Sequence, residues 1–75
     1  MNSKEIGEYC RKYRESKQVT LLELGGVDQI KILSAFEHGR ITNVNHLTKY
    51  VLLSVKHKDN VDFMSGLTKV VKNGW

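Results

Sequence analysis

Apolar residues recur along this chain at spacings of three and four, the repeat of an α-helix, and few stretches alternate as a strand would. Ile6, Tyr9, Cys10 and Tyr13 stand at i, i+3, i+4 and i+7, an apolar face for a first helix from Ser3 to about Ser16. Ser3 suits its N-cap and Glu5 its first turn, while Arg11, Arg14 and Lys17 lie towards the end, where the helix dipole favours cations. Thr20 is expected to cap a short second segment, Leu21-Leu22-Glu23-Leu24, which ends in the turn signal Gly25-Gly26. Val27 is expected to pack inward, and Asp28 to start a third helix whose close, Ile32-Leu33-Ser34-Ala35-Phe36-Glu37-His38, stops at Gly39. Asn43 suits the cap of a fourth helix with Val44, Leu47, Tyr50 and Val51 as its stripe. After Lys56-His57-Lys58, Asp59 suits the cap of a fifth, which carries Phe63, Met64, Leu67, Val70 and Val71 and stops at Asn73-Gly74.

Segments this short are marginal alone in water, so each must bury its stripe against the others. The chain contains no proline, no repeat and no linker, and 75 residues suffice for one small domain over 1–75. The expected fold is all-α, a small orthogonal bundle of five helices. Two of them, 20–24 and 28–38, sit around a glycine turn and match a helix-turn-helix unit. Leu33 and Phe36 are expected to lock the third helix onto the first and fourth. The helix-turn-helix core then spans 3–54. The C-terminal helix, 59–73, either folds back to complete that core or pairs with a second copy through Phe63, Met64, Leu67 and Val71, with Trp75 able to join the contact.

Twelve Lys and Arg against eight Asp and Glu give a net charge of +4. The pI of about 9.4 favours polyanionic partners, nucleic acid first. No run of four basic residues occurs, so a basic disordered arm is not expected. The single cysteine, Cys10, cannot form an intrachain disulfide, which fits a reducing compartment and leads to the expectation of a cytoplasmic protein. The N-terminal residues lack the apolar core of a signal peptide, and the run from Tyr50 to Val55 is too short to span a bilayer. Cys10 lies on the apolar stripe and reads as a small buried hydrophobe. His38, His46 and His57 fall in different elements and form no i, i+4 pair, so neither a metal nor any cofactor is expected. No nucleophile–base set, phosphate loop or carboxylate pair is present, so the chain is not expected to be an enzyme.

Several pieces of the sequence together resemble the Cro and phage-repressor-type helix-turn-helix family, also called Xre-like. Ile6 through Arg14 is similar to that family's first helix with its closing arginine. Val19-Thr20 is similar to the apolar residue and cap that open its second helix, and Leu24 with Gly25 to its leucine-plus-small pair. Gly26-Val27-Asp28 resembles its glycine turn, and Leu33-Ser34-Ala35-Phe36-Glu37-His38-Gly39 the close of its recognition helix. The resemblance covers residues 3 to about 53 and implies a lambda-repressor-like fold. It also implies an ion pair between Arg14 and Glu37, a structural staple joining the first and third helices.

If the third helix is a recognition helix, its N-terminal residues face base edges in the major groove. Gln29 can bond adenine through two atoms and Lys31 can reach guanine acceptors. Ser34 is a further candidate, with Ile30 and Ala35 behind it. Thr20 sits where a helix N-terminus can meet a phosphate, and Lys17, Gln18, Arg40, Thr42 and Asn43 flank the same expected surface. The function implied is a phage or mobile-element transcriptional regulator that binds operator DNA as a homodimer and represses by excluding polymerase. The alternative is a protein-binding modulator or antirepressor of the same fold. A third helix that is strongly apolar, with Lys31 its one basic residue, favours that alternative.

Overall fold

The computed structural model describes residues 3–41 and 43–74, and the side chains of 4–41 and 43–72, so the Ser3 side chain expected to cap α1 lies outside the described side chains, and Thr42 and Trp75 outside the described residues. The chain runs through α1 (Ser3–Ser16), α2 (Leu21–Gly25), a 3-10 turn (Val27–Gln29), α3 (Ile30–Glu37), α4 (Val44–Lys56) and α5 (Asn60–Gly74). Among the described residues there is no strand, and no helix is long and apolar enough to cross a membrane. The molecule is a small all-α bundle.

The stripe on α1 buries Ile6 and Cys10 fully and Tyr9 and Tyr13 in part. α1 packs on α3 and α5, α4 packs on α5 and α1, and α2 sits on α3 and α4. Leu33 and Phe36 from α3 join Ile6, Cys10, Tyr50, Phe63 and Leu67 in one core cluster. The Phe63 ring lies 4.8 Å from that of Tyr13 and 5.3 Å from that of Tyr9, and Phe36 stacks on Tyr50 at 5.6 Å. Burying one such ring contributes about 2–3 kcal/mol, and offset ring pairs add about 1 kcal/mol.

Two glycines let the helices approach. A Cβ on Gly7 would overlap the Phe36 carbonyl oxygen and lie 2.6 Å from that of Glu37, so α1 crosses α3 backbone to backbone at this point. A Cβ on Gly66 would meet the Tyr9 hydroxyl, which donates a 2.8 Å hydrogen bond to the Phe63 carbonyl of the same helix. α5 thus completes the core of its own chain. Phe63 and Leu67, candidate dimer contacts, are buried inside it and Val71 is half-buried against it; of the four, Met64 stays exposed. The Cα radius of gyration, 11.4 Å, agrees with the value of about 11 Å that compact domains of this length show, so no helix stands off the body.

Three helix ends close alike. At α1 the Gln18 and Val19 N–H groups donate to the carbonyls of Glu15 and Arg14, at α3 those of Gly39 and Arg40 donate to Phe36 and Ala35, and at α4 those of Lys58 and Asp59 donate to Val55 and Ser54. This is the Schellman pattern, and its C′ residue is left-handed each time: Gln18 (φ 57), Gly39 (φ 77) and Lys58 (φ 60).

Four expectations need correction. Val27 is 75% exposed, because residues 27–29 wind as a 3-10 turn behind Gly26 (φ 83) instead of opening a helix. α3 begins only at Ile30, and Asp28 sits inside the turn and caps neither element. Val44 is also exposed; the buried face of α4 is carried by Tyr50, Leu53 and Ser54, with Leu47 and Val51 beside it. Helical spacing names a face but does not say where along it the neighbouring helices begin. Asp59 does precede α5, and its carbonyl accepts from Phe63 N–H. Its carboxylate, however, accepts from the Tyr13 hydroxyl (3.1 Å) and pairs with the Lys17 ammonium (2.7 Å), so the side chain ties α5 to α1.

Candidate nucleic-acid interface

Everything on the outside of α3 depends on how its inside is held. The Arg14 Nε donates to Glu37 Oε2 at 2.8 Å and its Nη2 to Glu37 Oε1 at 3.1 Å, a bidentate pair in which the side chains are 11% and 2% exposed. The remaining Arg14 nitrogen, Nη1, donates to the Val19 carbonyl at 2.7 Å and so fixes the link between α1 and α2. Tyr50 adds a third partner, donating its hydroxyl to Glu37 Oε2 at 2.6 Å. One buried carboxylate therefore joins α1, α3 and α4. The hydrogen bonds from Arg14 to Glu37 push the guanidinium above its ordinary range, and burial with the Glu37 contact pushes the Tyr50 phenol up. Nearby, burial first and the Glu37 charge second push the Cys10 thiol up to about 12, so it stays a protonated core group.

The turn between α2 and α3 is equally specified. A Cβ on Gly25 would fall 2.6 Å from Leu33 Cδ1 and 2.8 Å from Gln29 Cβ, so a small residue is required for the two helices to meet. Gly39 ends α3 while its α-carbon faces Lys4: a Cβ there would lie 2.6 Å from the Lys4 Cα.

On this frame the candidate DNA contacts separate into two groups. Lys31 is exposed in the first turn of α3, Arg40 is exposed just past its end, and Gln18 is exposed in the turn after α1. Gln29 is half-buried, its stem against Gly25, and it precedes α3 instead of lying on it. Ser34, Ile30 and Ala35 are half-buried, and the Ser34 carbonyl accepts from both the backbone N–H and the ring Nδ1 of His38.

The second group is engaged within the chain. Lys17 pairs with Asp59 and lies 5.7 Å from the Tyr13 ring centroid. Thr20 does cap α2, accepting from Glu23 N–H at 3.1 Å, but its hydroxyl donates to the Glu23 carboxylate at 3.2 Å, so a carboxylate already stands where a phosphate was expected. Asn43 caps α4 by accepting from Asn45 N–H at 2.8 Å. The sequence marks Tyr50 only as a tyrosine on a buried stripe, whose hydroxyl needs a partner; that partner is the Glu37 carboxylate.

Charge is distributed unevenly between the halves. Residues 1–40 hold seven Lys and Arg against six Asp and Glu, a net of +1, and residues 41–75 hold five against two, a net of +3. Most of the positive excess therefore lies with α4 and α5 and not with α3. Among the described residues no three His, Cys, Asp or Glu side chains converge as a metal set. The chain matches no family model, no curated protein and no solved structure, so its function has to be read from its own residues.

Proposed function

We propose that the chain is a DNA-binding transcriptional regulator of the phage or mobile-element kind, acting in the cytoplasm as a homodimer on operator DNA. One observation carries this reading: α3 is stapled from inside by Arg14, Glu37 and Tyr50 while Lys31 on its first turn and Arg40 beyond its end stay exposed. A rigid short helix with a free N-terminal turn is what major-groove reading requires. Gln29 and Lys31 then address base edges, Gln18 and Arg40 the phosphates, and the dimer contact falls to the outer side of α5 around Met64. The test is binding to the DNA upstream of the chain's own gene, measured by anisotropy against salt. Lys31→Ala and Gln29→Ala are expected to cost roughly 1–3 kcal/mol and to relax preference at one base pair each. Arg40→Ala is expected to weaken all DNA alike and to flatten the salt slope. Absence of binding to any fragment near the gene, or binding indifferent to salt, refutes the reading.

A second reading rests on the exposed apolar side chains beside the same helix. Leu22, Val27 and Ile32 lie open on α2, the turn and α3, where Lys31 is the only basic residue of the helix. That surface suits a modulator or antirepressor that docks on another regulator. Under it, Gln29→Ala leaves any weak DNA binding unchanged and Val27→Asp abolishes association with the partner.

A further inference from the structure

α2 and α4 leave a groove of about 350 Å³ between them, and none of the proposed DNA contacts lines it. Val19, Leu24 and Leu53 form its apolar part; Leu53 is buried, yet it stands outside the main core cluster. Along one lip run Lys49, Leu52 and Lys56, at i, i+3 and i+7, so a single face of α4 reads basic, apolar, basic. Leu52 is 62% exposed, which a structural role does not require. Among the described residues, neither Lys49 nor Lys56 has an ion-pair partner. The one carboxylate at the groove, Glu23, already accepts from the Thr20 hydroxyl.

We propose that this groove takes a short acidic, apolar-anchored segment of another protein. The segment inserts one or two bulky apolar side chains against Leu24, Leu52 and Leu53, and its carboxylates meet Lys49 and Lys56. Those two lysines are two helical turns apart, about 10.5 Å along the axis, which sets the spacing of the matching carboxylates. Charge complementarity chooses this occupant over a second copy of the chain, whose corresponding half carries +3 and would bring lysines against lysines. The concave shape chooses it over a lipid surface, since a bilayer offers no side chain to enter a groove.

The probe is a synthetic amphipathic peptide of about twelve residues with leucine and phenylalanine at i and i+4 flanked by glutamates. It is titrated into the full chain and followed by amide chemical shifts. The expected shifts fall on residues 19–24 and 49–57, with a dissociation constant of about 10–100 μM that weakens several-fold when salt rises from about 50 to 300 mM. Leu52→Asp, at an exposed position, is expected to keep its melting temperature and lose at least about tenfold in affinity. Lys49→Glu with Lys56→Glu is expected to abandon this peptide and bind its lysine-for-glutamate counterpart. Shifts centred on Lys31 and Ile32 overturn the proposal. So do the absence of shifts at about 1 mM peptide, equal binding by the charge-swapped variant, preference for anionic phospholipid vesicles, or self-association that Leu52→Asp removes. Weakened DNA binding in Lys31→Ala with peptide binding intact separates this site from the one on α3.

Discussion

Glu37 is the residue on which three helices converge, and its energetics follow from its partners. A carboxylate 2% exposed loses nearly all contact with water, and it is stable there because Arg14 supplies two charged donors and Tyr50 a neutral hydroxyl donor. Removing one partner leaves the others stranded. Arg14→Met or Glu37→Leu alone is expected to cost about 3 kcal/mol or more in a denaturant melt, whereas the double variant costs less than the sum and less than either alone. Additive losses in that cycle would show that the pair contributes no coupling. Gly7 makes the opposite kind of demand. In an isolated helix Gly7→Ala would stabilise by about 1 kcal/mol, but here the methyl meets two carbonyl oxygens of α3. The expected result is a net loss of about 2 kcal/mol or more as α1 and α3 separate. Equal or higher stability of the alanine variant would mean that α3 gives way at this crossing without cost. The Arg14–Glu37 pair was legible through the family resemblance. Gly7 was not, because a glycine inside a helix carries no sign of what passes over it.

At the scale of elements, a helix end is readable when its closing residue advertises itself. α3 stops at Gly39, a residue that adopts φ 77 without cost, and its end was foreseen. α1 and α4 close with the same hydrogen bonds but place Gln18 and Lys58 in the left-handed region, so only the loss of apolar spacing marked them. The start of α3 misled for the converse reason: Asp28 has the chemistry of a cap, and the 3-10 turn passes through it. Asp59 also has that chemistry, and its carboxylate went to a longer-range task, joining α5 to α1. That task makes a pH prediction. The hydrogen bonds from Lys17 first and Tyr13 second hold Asp59 below the usual carboxylate range, so the folded chain binds its proton less readily than the unfolded chain does. The stability it contributes is therefore present above the unfolded-state pKa and is lost as pH falls through the depressed folded value. Thermal melts from neutral to acidic pH are expected to show a decline that Asp59→Asn makes shallower. Parallel curves for the two proteins would remove Asp59 from the acid response.

For the molecule as a whole, the question left open by the sequence was where the broad apolar face of α5 goes. Its apolar residues Phe63, Met64, Leu67, Val70 and Val71 cover more of the helix than one contact needs. Spacing alone cannot divide such a face between a core and a partner, because both bury the same residue types. The structure makes the division: Phe63 and Leu67 enter the cluster with Tyr9, Tyr13 and Cys10, and Met64 remains 42% exposed. Two substitutions one residue apart should then behave differently. Phe63→Ala is expected to lower folding stability by about 3–5 kcal/mol, by the same amount in dilute and concentrated protein, because the cavity it leaves is internal. Met64→Asp is expected to change the melt of the monomer by no more than about 0.5 kcal/mol. If α5 supplies the homodimer contact, this variant abolishes the larger species in sedimentation and leaves the fold intact. A Phe63→Ala deficit that disappears on dilution would instead place Phe63 between subunits, since an interface contributes to stability only where the dimer is populated.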